Sequence, residues 1–254
     1  MAILCYHAVD PLWRSPLAVS PDLFARHCAW LSEHRRVISL PEAVTSMNGS
    51  TGWPGGLTAL SFDDGFAGLY THALPILLRY RLPATVFLVA QTLTSAGRSV
   101  DWVDDPPRQP LATLSRGQVL DMLAAGITFG SHSYSHHDLT TLTEEECERD
   151  LRKSRDVLED LLGHSVRLLA YPRGRHNEGI RRAAARAGFT HAFTLPDGPE
   201  PNGPHAVPRA GVWSRDQLLA LRVKTSDWYI TMRTSGVFPI IRAARGLPGR
   251  GTSR

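Results

Sequence analysis

Ser61-Phe62-Asp63-Asp64-Gly65 and the apolar run that leads into it, residues 57–62, decide the fold of this chain. The run predicts a buried strand, and it places both aspartates at the C-terminal end of that strand. A second short run, residues 127–130, leads in the same way into Ser131-His132-Ser133-Tyr134-Ser135-His136. One carboxylate and two imidazoles at strand ends can form a three-ligand metal site with an open position for water. The other carboxylate of the pair would then lie beside that water, where a general base belongs.

Taken separately, the two segments are weak signals. Asp-Gly is common turn chemistry, and His132 and His136 could be two surface histidines of the eleven in the chain. A zincin site is excluded because the histidines follow a strand and lack the glutamate of the HExxH pattern. A phosphatase with an aspartate nucleophile is excluded because its two aspartates need a residue between them. Together the segments indicate a metal-dependent hydrolase.

Alternating strands and amphipathic helices extend through most of the sequence. Further strands are predicted at residues 2–6, 84–90, 166–171 and 189–195, besides the two above. Helices are predicted over residues 69–80 and from capping signals at Ser20, Ser39, Ser115, Thr143 and Asn177. Repeated strand–helix units favour a parallel sheet that closes into an α/β barrel. Residues 94–110, rich in Ser, Gly, Asp and Pro, predict a surface loop near the active face.

The composition excludes several other classes of protein. The 254 residues are 43% hydrophobic and 20% charged, as in a soluble globular protein, and the net charge is +4. No basic stripe is interleaved with aromatics, so we expect no nucleic-acid partner. The three cysteines lack CxxC spacing, which favours buried free thiols and a reducing compartment. With no visible signal peptide or transmembrane run, the expected location is cytoplasmic.

Four segments also resemble a known family, in order and spacing. They are Tyr6-His7-Ala8-Val9, Ser61 to Gly65, His132 to His136 with Asp138-Leu139 behind it, and Tyr171-Pro172-Arg173-Gly174. The chain resembles the polysaccharide deacetylases, the NodB-type domains of carbohydrate esterase family 4, over about its first four-fifths. The resemblance implies a distorted (β/α) barrel. We expect that barrel to span residues 1–225, followed by a closing element and basic tail over residues 226–254.

The resemblance also implies roles for individual residues. Asp64, His132 and His136 would hold a divalent metal, most often Zn²⁺, with Co²⁺ and Ni²⁺ as alternatives. Asp63 would be the general base, and the backbone N–H of Arg173 would stabilise the oxyanion. The implied reaction removes N-acetyl groups from an N-acetylated sugar, oligosaccharide or glycoconjugate and releases acetate.

Three departures from the family pattern affect the site. Ala170 stands where many members have an arginine that tethers the base, and Arg209 is the predicted replacement. Arg173 stands in place of a tyrosine. No clear segment supplies the general-acid histidine, so His205 is the first candidate, followed by His7 and His191, and another donor or the metal-bound water stays open. These departures motivate a rival interpretation, a catalytically impaired barrel that binds carbohydrate.

For several other residues, the sequence allows two interpretations. His137 competes with His136 as the second imidazole ligand. Three tryptophans could stack on a sugar or belong to the core or a lid: Trp102, Trp213 and Trp228. Apolar stretches after residue 226 lie beside arginines, which predicts either a closing element or a peripheral contact with a membrane or partner. The oligomeric state is left open.

Overall fold

The computed structural model describes residues 1–48, 55–201 and 203–239. Its strands are β1 (Ala2–Tyr6), β2 (Ala8–Val9), β3 (Ala18–Val19), β4 (Arg36–Ile38), β5 (Leu57–Phe62), β6 (Thr85–Leu88), β7 (Thr128–Ser131), β8 (Leu168–Ala170), β9 (His191–Thr194), β10 (Val207–Pro208) and β11 (Ala210–Gly211). Its helices are α1 (Pro21–His34), α2 (Leu40–Asn48), α3 (Leu74–Tyr80), α4 (Arg116–Ala124), α5 (Glu144–Leu162), α6 (Glu178–Arg186), α7 (Leu218–Lys224) and α8 (Asp227–Arg233). Every strand and helix that the sequence predicts within the described residues is present, with ends that shift by a few residues.

The sheet is parallel throughout and almost closes on itself. Its order is β10-β9-β8-β7-β6-β5-β1-β11, with β4 paired to β5 as well, while β2 and β3 form a separate pair. The strands β10 and β11 lie on either side of Arg209, and they pair with opposite ends of the sheet, β9 and β1. One short stretch of chain therefore joins the two edges, and the predicted distorted (β/α) barrel is confirmed.

Local sequence signals explain where the longer helices begin and end. The Ser20 side chain accepts a hydrogen bond from Leu23 N, and a proline occupies the first turn of α1. The helices α4 and α5 each begin with a reciprocal capping box, at Ser115 and Thr143. Gly163 ends α5 with a φ of 72°, which costs glycine no steric strain. These helices pack apolar faces on the barrel, so the carboxyl ends of the strands are left to build a site.

The three cysteines, all within the described residues, are buried and form no disulfide, as the sequence indicates. The predicted helix over residues 69–80 begins as a π-helical turn, Leu69–Ala73, before α3. Pro75 has no N–H to donate to residue 71, so the chain makes the wider turn there. The strands β4, β10 and β11 could not be predicted from the sequence. Each has only two or three residues, which is too few to show the alternation of a strand.

The C-terminal segment is described only as far as residue 239. In α8, Asp227 Oδ1 accepts a hydrogen bond from the N-terminal amine at 3.0 Å, and Ile230 packs in the main apolar core. The side chain of Trp228 is exposed. Residues 240–254, with the predicted basic tail, lie outside the described residues, so the domain boundary at 225 and the membrane contact stay predictions. None of the described helices combines the length and the apolar character needed to span a bilayer.

Candidate metal centre

Strained backbone marks the carboxyl end of the barrel. Asp64 follows β5 with a φ of 68°, and in the loop after β7 Ser133 and His136 have φ values of 67° and 55°. Arg173, after β8, has a φ of 57°. Only one other described non-glycine residue, Arg81 at the end of α3, has a positive φ. Such conformations cost free energy and are kept only where the surrounding contacts hold the backbone in place. Their clustering at this end of the barrel therefore indicates a functional site.

Asp64, His132 and His136 meet at this end of the barrel. Asp64 Oδ1 lies 3.2 Å from His136 Nε2 and 3.7 Å from His132 Nε2, and all three residues are buried. The other ring nitrogen of His132, Nδ1, donates to the Ala170 carbonyl at 2.8 Å, so in the neutral ring Nε2 carries a free lone pair. Burial lowers the pKa of His132 to about 4, which keeps the ring neutral. Two imidazoles, one of them neutral and oriented by a backbone carbonyl, and one carboxylate fit a Zn²⁺-type cation.

Trp102 covers this cluster from the loop that the sequence predicts near the active face. Its Nε1–H donates to Asp64 Oδ1 at 2.9 Å, and its ring stacks on His136 with centroids 4.9 Å apart. The indole is therefore part of the wall of the site, whereas the sequence left open whether it stacks on a sugar or belongs to the core or a lid.

Asp63 has different partners from its neighbour. Arg209 donates to both of its carboxylate oxygens, at 2.7 and 2.8 Å, and both residues are almost fully buried. Cys5 Sγ donates to Asp63 Oδ2 at 3.3 Å, a contact that no sequence signal predicts. Burial alone raises the pKa of the Asp63 carboxyl, but Arg209 and then His132 outweigh it and hold the pKa well below the usual range. The tether predicted for Arg209 is present as a bidentate ion pair.

His7 lies beside Asp63 rather than beside Asp64. Cys5, His7 and Asp63 each offer a polar atom, and these atoms lie within 4.8 Å of one another. The His7 ring stacks on Trp213 with centroids 5.5 Å apart. Trp213 in turn belongs to a turn in which its backbone N–H donates to Asp216 Oδ2 at 2.7 Å. His7 is thus held between the carboxylate and an indole.

Arg173 occupies the third loop at this end of the barrel. Its guanidinium donates to the Trp102 carbonyl at 3.0 Å and to Asp104 at 3.3 Å. The next residue, Gly174, has a φ of 67°, and a side chain there would collide with Leu195 N at 2.5 Å. The loop is therefore fixed both to the sheet and to the segment that carries Trp102.

Other residues singled out in the sequence lie elsewhere. His205 Nε2 donates to the Phe189 carbonyl at 2.8 Å, just before β9, and His191 is the first residue of β9. Both therefore lie toward the amino end of that strand, whereas the cluster lies at the carboxyl ends. The prediction of His205 as the first candidate acid is not supported by this placement. His137 is exposed and its Nδ1 pairs with the Ser135 hydroxyl, whereas His136 is buried in the cluster.

Comparisons with known proteins identify the family and the fold. The family profile described as polysaccharide deacetylase matches residues 53–192, more than half of the chain. The chain is 25% identical over 199 residues to YxkH of Bacillus subtilis and 26% identical over 188 residues to the poly-β-1,6-N-acetyl-D-glucosamine N-deacetylase of Staphylococcus epidermidis. These matches cover 78% and 70% of this chain but only 65% and 61% of the relatives. The structure of the deacetylase PplD of Streptococcus pyogenes in complex with acetate superposes with a TM-score of 0.75 at 25% identity, covering 89% of this chain and 98% of that one.

Proposed function

The chain belongs to the polysaccharide deacetylase family, and from this premise we propose that it is a metal-dependent hydrolase of N-acetylated carbohydrate. It would remove N-acetyl groups from a sugar, oligosaccharide or glycoconjugate and release acetate. One observation carries the proposal. A buried carboxylate and two imidazoles converge beside a second carboxylate that an arginine holds in place.

The partners of the two aspartates support separate roles for them. Arg209 donates to both oxygens of Asp63, which orients that carboxylate and supports a role for it other than metal ligand. Asp64, with His132 and His136, would hold the divalent cation, and this donor set suits Zn²⁺ and also accepts Co²⁺ or Ni²⁺. A cation bound there would polarise the acetyl carbonyl and lower the pKa of a water.

Asp63 is suited to accept the proton of the attacking water. The carboxylate is ionised at neutral pH, and the bidentate contact with Arg209 fixes its orientation. Arg209 would thus act through Asp63 rather than on the substrate. The backbone N–H of Arg173, in the loop anchored to the Trp102 segment, is our proposed donor to the developing oxyanion.

The departing amine needs a proton donor, and His7 is the best placed of the three histidines considered. It lies with Asp63 and is stacked on Trp213, whereas His205 and His191 lie toward the other end of β9. We therefore propose His7 as the general acid in place of His205.

The names of the relatives suggest the first substrates to test. One relative is a poly-β-1,6-N-acetyl-D-glucosamine N-deacetylase, and the PplD structure contains acetate. The chain spans less than two-thirds of the length of the curated relatives. The activity of those relatives is therefore only a proposal for this chain. On that basis we propose N-acetylglucosamine units in an oligomer or glycoconjugate as the substrate class.

The direct test is acetate release from β-1,6- and β-1,4-linked N-acetylglucosamine oligomers with added Zn²⁺ or Co²⁺. The parent protein is expected to release acetate, and Asp63→Asn should lower the rate by about 10²–10⁴-fold, the usual contribution of a general base. Oligomer binding without acetate release across both linkages would instead favour a catalytically impaired, carbohydrate-binding barrel.

A further inference from the structure

A second group of potential metal ligands lies beside the candidate metal centre. Within residues 1–48, 55–201 and 203–239, two groups of buried His, Cys and Asp side chains are close enough to hold a cation, and the first is the centre described above. The second consists of Cys5, His7 and Asp63, whose ligand atoms lie within 4.8 Å of one another. The proposed reaction uses His7 and Asp63 but gives the Cys5 thiol no role.

The pairing of β1 with β5 brings this second group together. The two strands are parallel, and Cys5 lies opposite Ser61, two residues before Asp63. Cys5 and His7 are also two residues apart, and alternate residues of an extended chain lie on the same side. Cys5 Sγ accordingly reaches Asp63 and donates to its Oδ2 at 3.3 Å. The group is therefore built by the sheet itself rather than by a surface loop.

The donor chemistry of the group differs from that of the first centre. A thiolate, an imidazole and a carboxylate are all ligands of Zn²⁺ in proteins. The thiolate favours soft cations such as Zn²⁺, and by the same chemistry Cd²⁺, over Mg²⁺. The first centre, Asp64 with His132 and His136, offers no sulfur. When a cation binds Cys5, the thiol proton is released to solvent as the metal–sulfur bond forms.

The surrounding charges make this second site weaker than the first. Arg209 donates to both oxygens of Asp63, but an ionised carboxylate has about four acceptor positions and can take a further partner. Asp63 Oδ2 lies 4.0 Å from His132 Nε2, a proposed ligand of the first cation. A second cation would therefore be repelled by both the guanidinium and the first cation. It should bind only after the first centre is filled, and it should be lost on desalting.

We propose that Cys5, His7 and Asp63 form a second, weaker site for a soft divalent cation, and that filling this site stops the reaction. The inference rests on the proposed function and adds an inhibitory control to it. A cation bound there takes a lone pair of the proposed base and a ring nitrogen of the proposed acid, so neither group can transfer its proton. The enzyme should therefore be activated by about one equivalent of Zn²⁺ and inhibited by an excess.

The binding test uses the absorption of a cadmium–thiolate bond. Protein loaded with one equivalent of Zn²⁺ is titrated with Cd²⁺, and the ultraviolet charge-transfer band of the metal–sulfur bond is recorded for the parent, Cys5→Ser and Cys147→Ser. Because the first centre has no sulfur ligand, exchange of cadmium into it gives no such band. Cys147 packs in the main apolar core and belongs to neither ligand group, so it is the matched control. Thermal melting of each variant checks that the fold is kept.

We expect the band in the parent and in Cys147→Ser and its absence in Cys5→Ser. No band in the parent at saturating Cd²⁺, a band that persists in Cys5→Ser, or a band that Cys147→Ser removes would each overturn the second site. The parent measurement alone decides the matter if Cys5→Ser does not fold.

The inhibition test measures acetate release against total Zn²⁺ for the same three proteins. The Zn²⁺ concentration that halves the rate should rise in Cys5→Ser by about tenfold or more, since even residues that only orient a metal ligand are worth 10–100-fold in affinity. An equal excess of Mg²⁺ should not inhibit. Equal inhibition of the parent and Cys5→Ser, or a higher rate when the second equivalent binds, would overturn the inhibitory role.

The two readouts separate this inference from the proposed function. If the parent releases acetate but shows no cadmium–thiolate band, the hydrolase stands and the second site fails. If the band depends on Cys5 but no acetate is released at any Zn²⁺ concentration, the proposed function fails and the cation site stands.

Discussion

At the level of single residues, the two aspartates after β5 differ in their partners although they are neighbours in sequence. Asp63 is paired with a guanidinium on both oxygens, and Asp64 faces two imidazoles. The sequence alone predicts one metal ligand and one base but does not distinguish them. The contact with Arg209 makes that distinction, and the family resemblance anticipated it. The sequence does not favour His7, our proposed general acid, because no spacing signal shows that β1 and β5 pair and bring His7 beside Asp63.

Removing the arginine of this pair should destabilise the protein. Arg209→Met leaves the Asp63 carboxylate buried without a charge partner, which costs about 3–5 kcal/mol of unfolding free energy. The measurement is urea unfolding of the parent, Arg209→Met, Asp63→Asn and the double variant. Since the double variant buries no unpaired carboxylate, it should recover part of the loss. Strict additivity of the two single variants would contradict the coupling.

A buried histidine away from the site should make stability depend on pH. His27 Nε2 donates to the Asp216 carbonyl at 2.8 Å, so its Nδ1 accepts from the Tyr6 hydroxyl, and burial lowers the pKa of His27 from 6.5 to about 4. The unfolded chain therefore binds more protons than the folded one between pH 6.5 and 4. Stability is complete above pH 6.5 and falls, by up to about 3 kcal/mol, as the pH drops to 4.

The check on His27 is the free energy of unfolding against pH for the parent and for His27→Gln. The difference between their two curves isolates His27, because the other titrating groups are shared. Parallel curves between pH 6.5 and 4 would show that His27 keeps an ordinary pKa in the folded protein.

At the level of elements, the longer strands and the helices around them were predictable from the sequence, whereas the contacts of the loop that covers the site were not. The apolar runs of β5 and β7 predict strands because these strands are buried on both faces, and the capping box and periodic apolar residues of α5 predict a helix that buries one face. The predicted loop over residues 94–110 has no period, so nothing in it shows that Trp102 reaches Asp64. Likewise, β10 and β11 are too short to be predicted, although Arg209 between them forms the ion pair with Asp63.

This loop should influence metal affinity through a single hydrogen bond. Trp102→Phe keeps an aromatic ring over His136 but removes the N–H that donates to Asp64 Oδ1. We expect affinity for Zn²⁺ to fall by about 10–100-fold, as for other residues that orient metal ligands, with little change in melting temperature. Competition with a chromophoric chelator measures the affinity. Unchanged affinity would mean that the indole only packs against the cluster.

At the level of the whole molecule, residues 207–211 join the two edges of the sheet and complete the barrel. Most of the core and the entire candidate site lie before residue 226, whereas α8 contributes Ile230 and the ion pair of Asp227 with the N-terminal amine. This distribution is consistent with the predicted domain boundary but does not test it. The sequence indicated closure from the number of strand–helix units, and the closing strands themselves appear only in the structure.

A truncated chain tests the boundary. A protein of residues 1–225 should unfold cooperatively and keep acetate release, with a lower melting temperature because Ile230 and the Asp227 ion pair are lost. Circular dichroism and the acetate assay provide the readout. A truncated chain that aggregates or shows no cooperative transition would place the C-terminal segment inside the domain.

The most direct test of the account is the metal content of four purified proteins after exposure to Zn²⁺ and desalting, measured by elemental analysis. The parent and Asp63→Asn should each retain about one equivalent of zinc, because Asp63 is bound by Arg209, whereas Asp64→Ala and His132→Ala should retain almost none. Equal zinc in all four proteins, or loss of zinc in Asp63→Asn alone, would contradict the assignment of Asp64 and His132 as metal ligands and of Asp63 as the base.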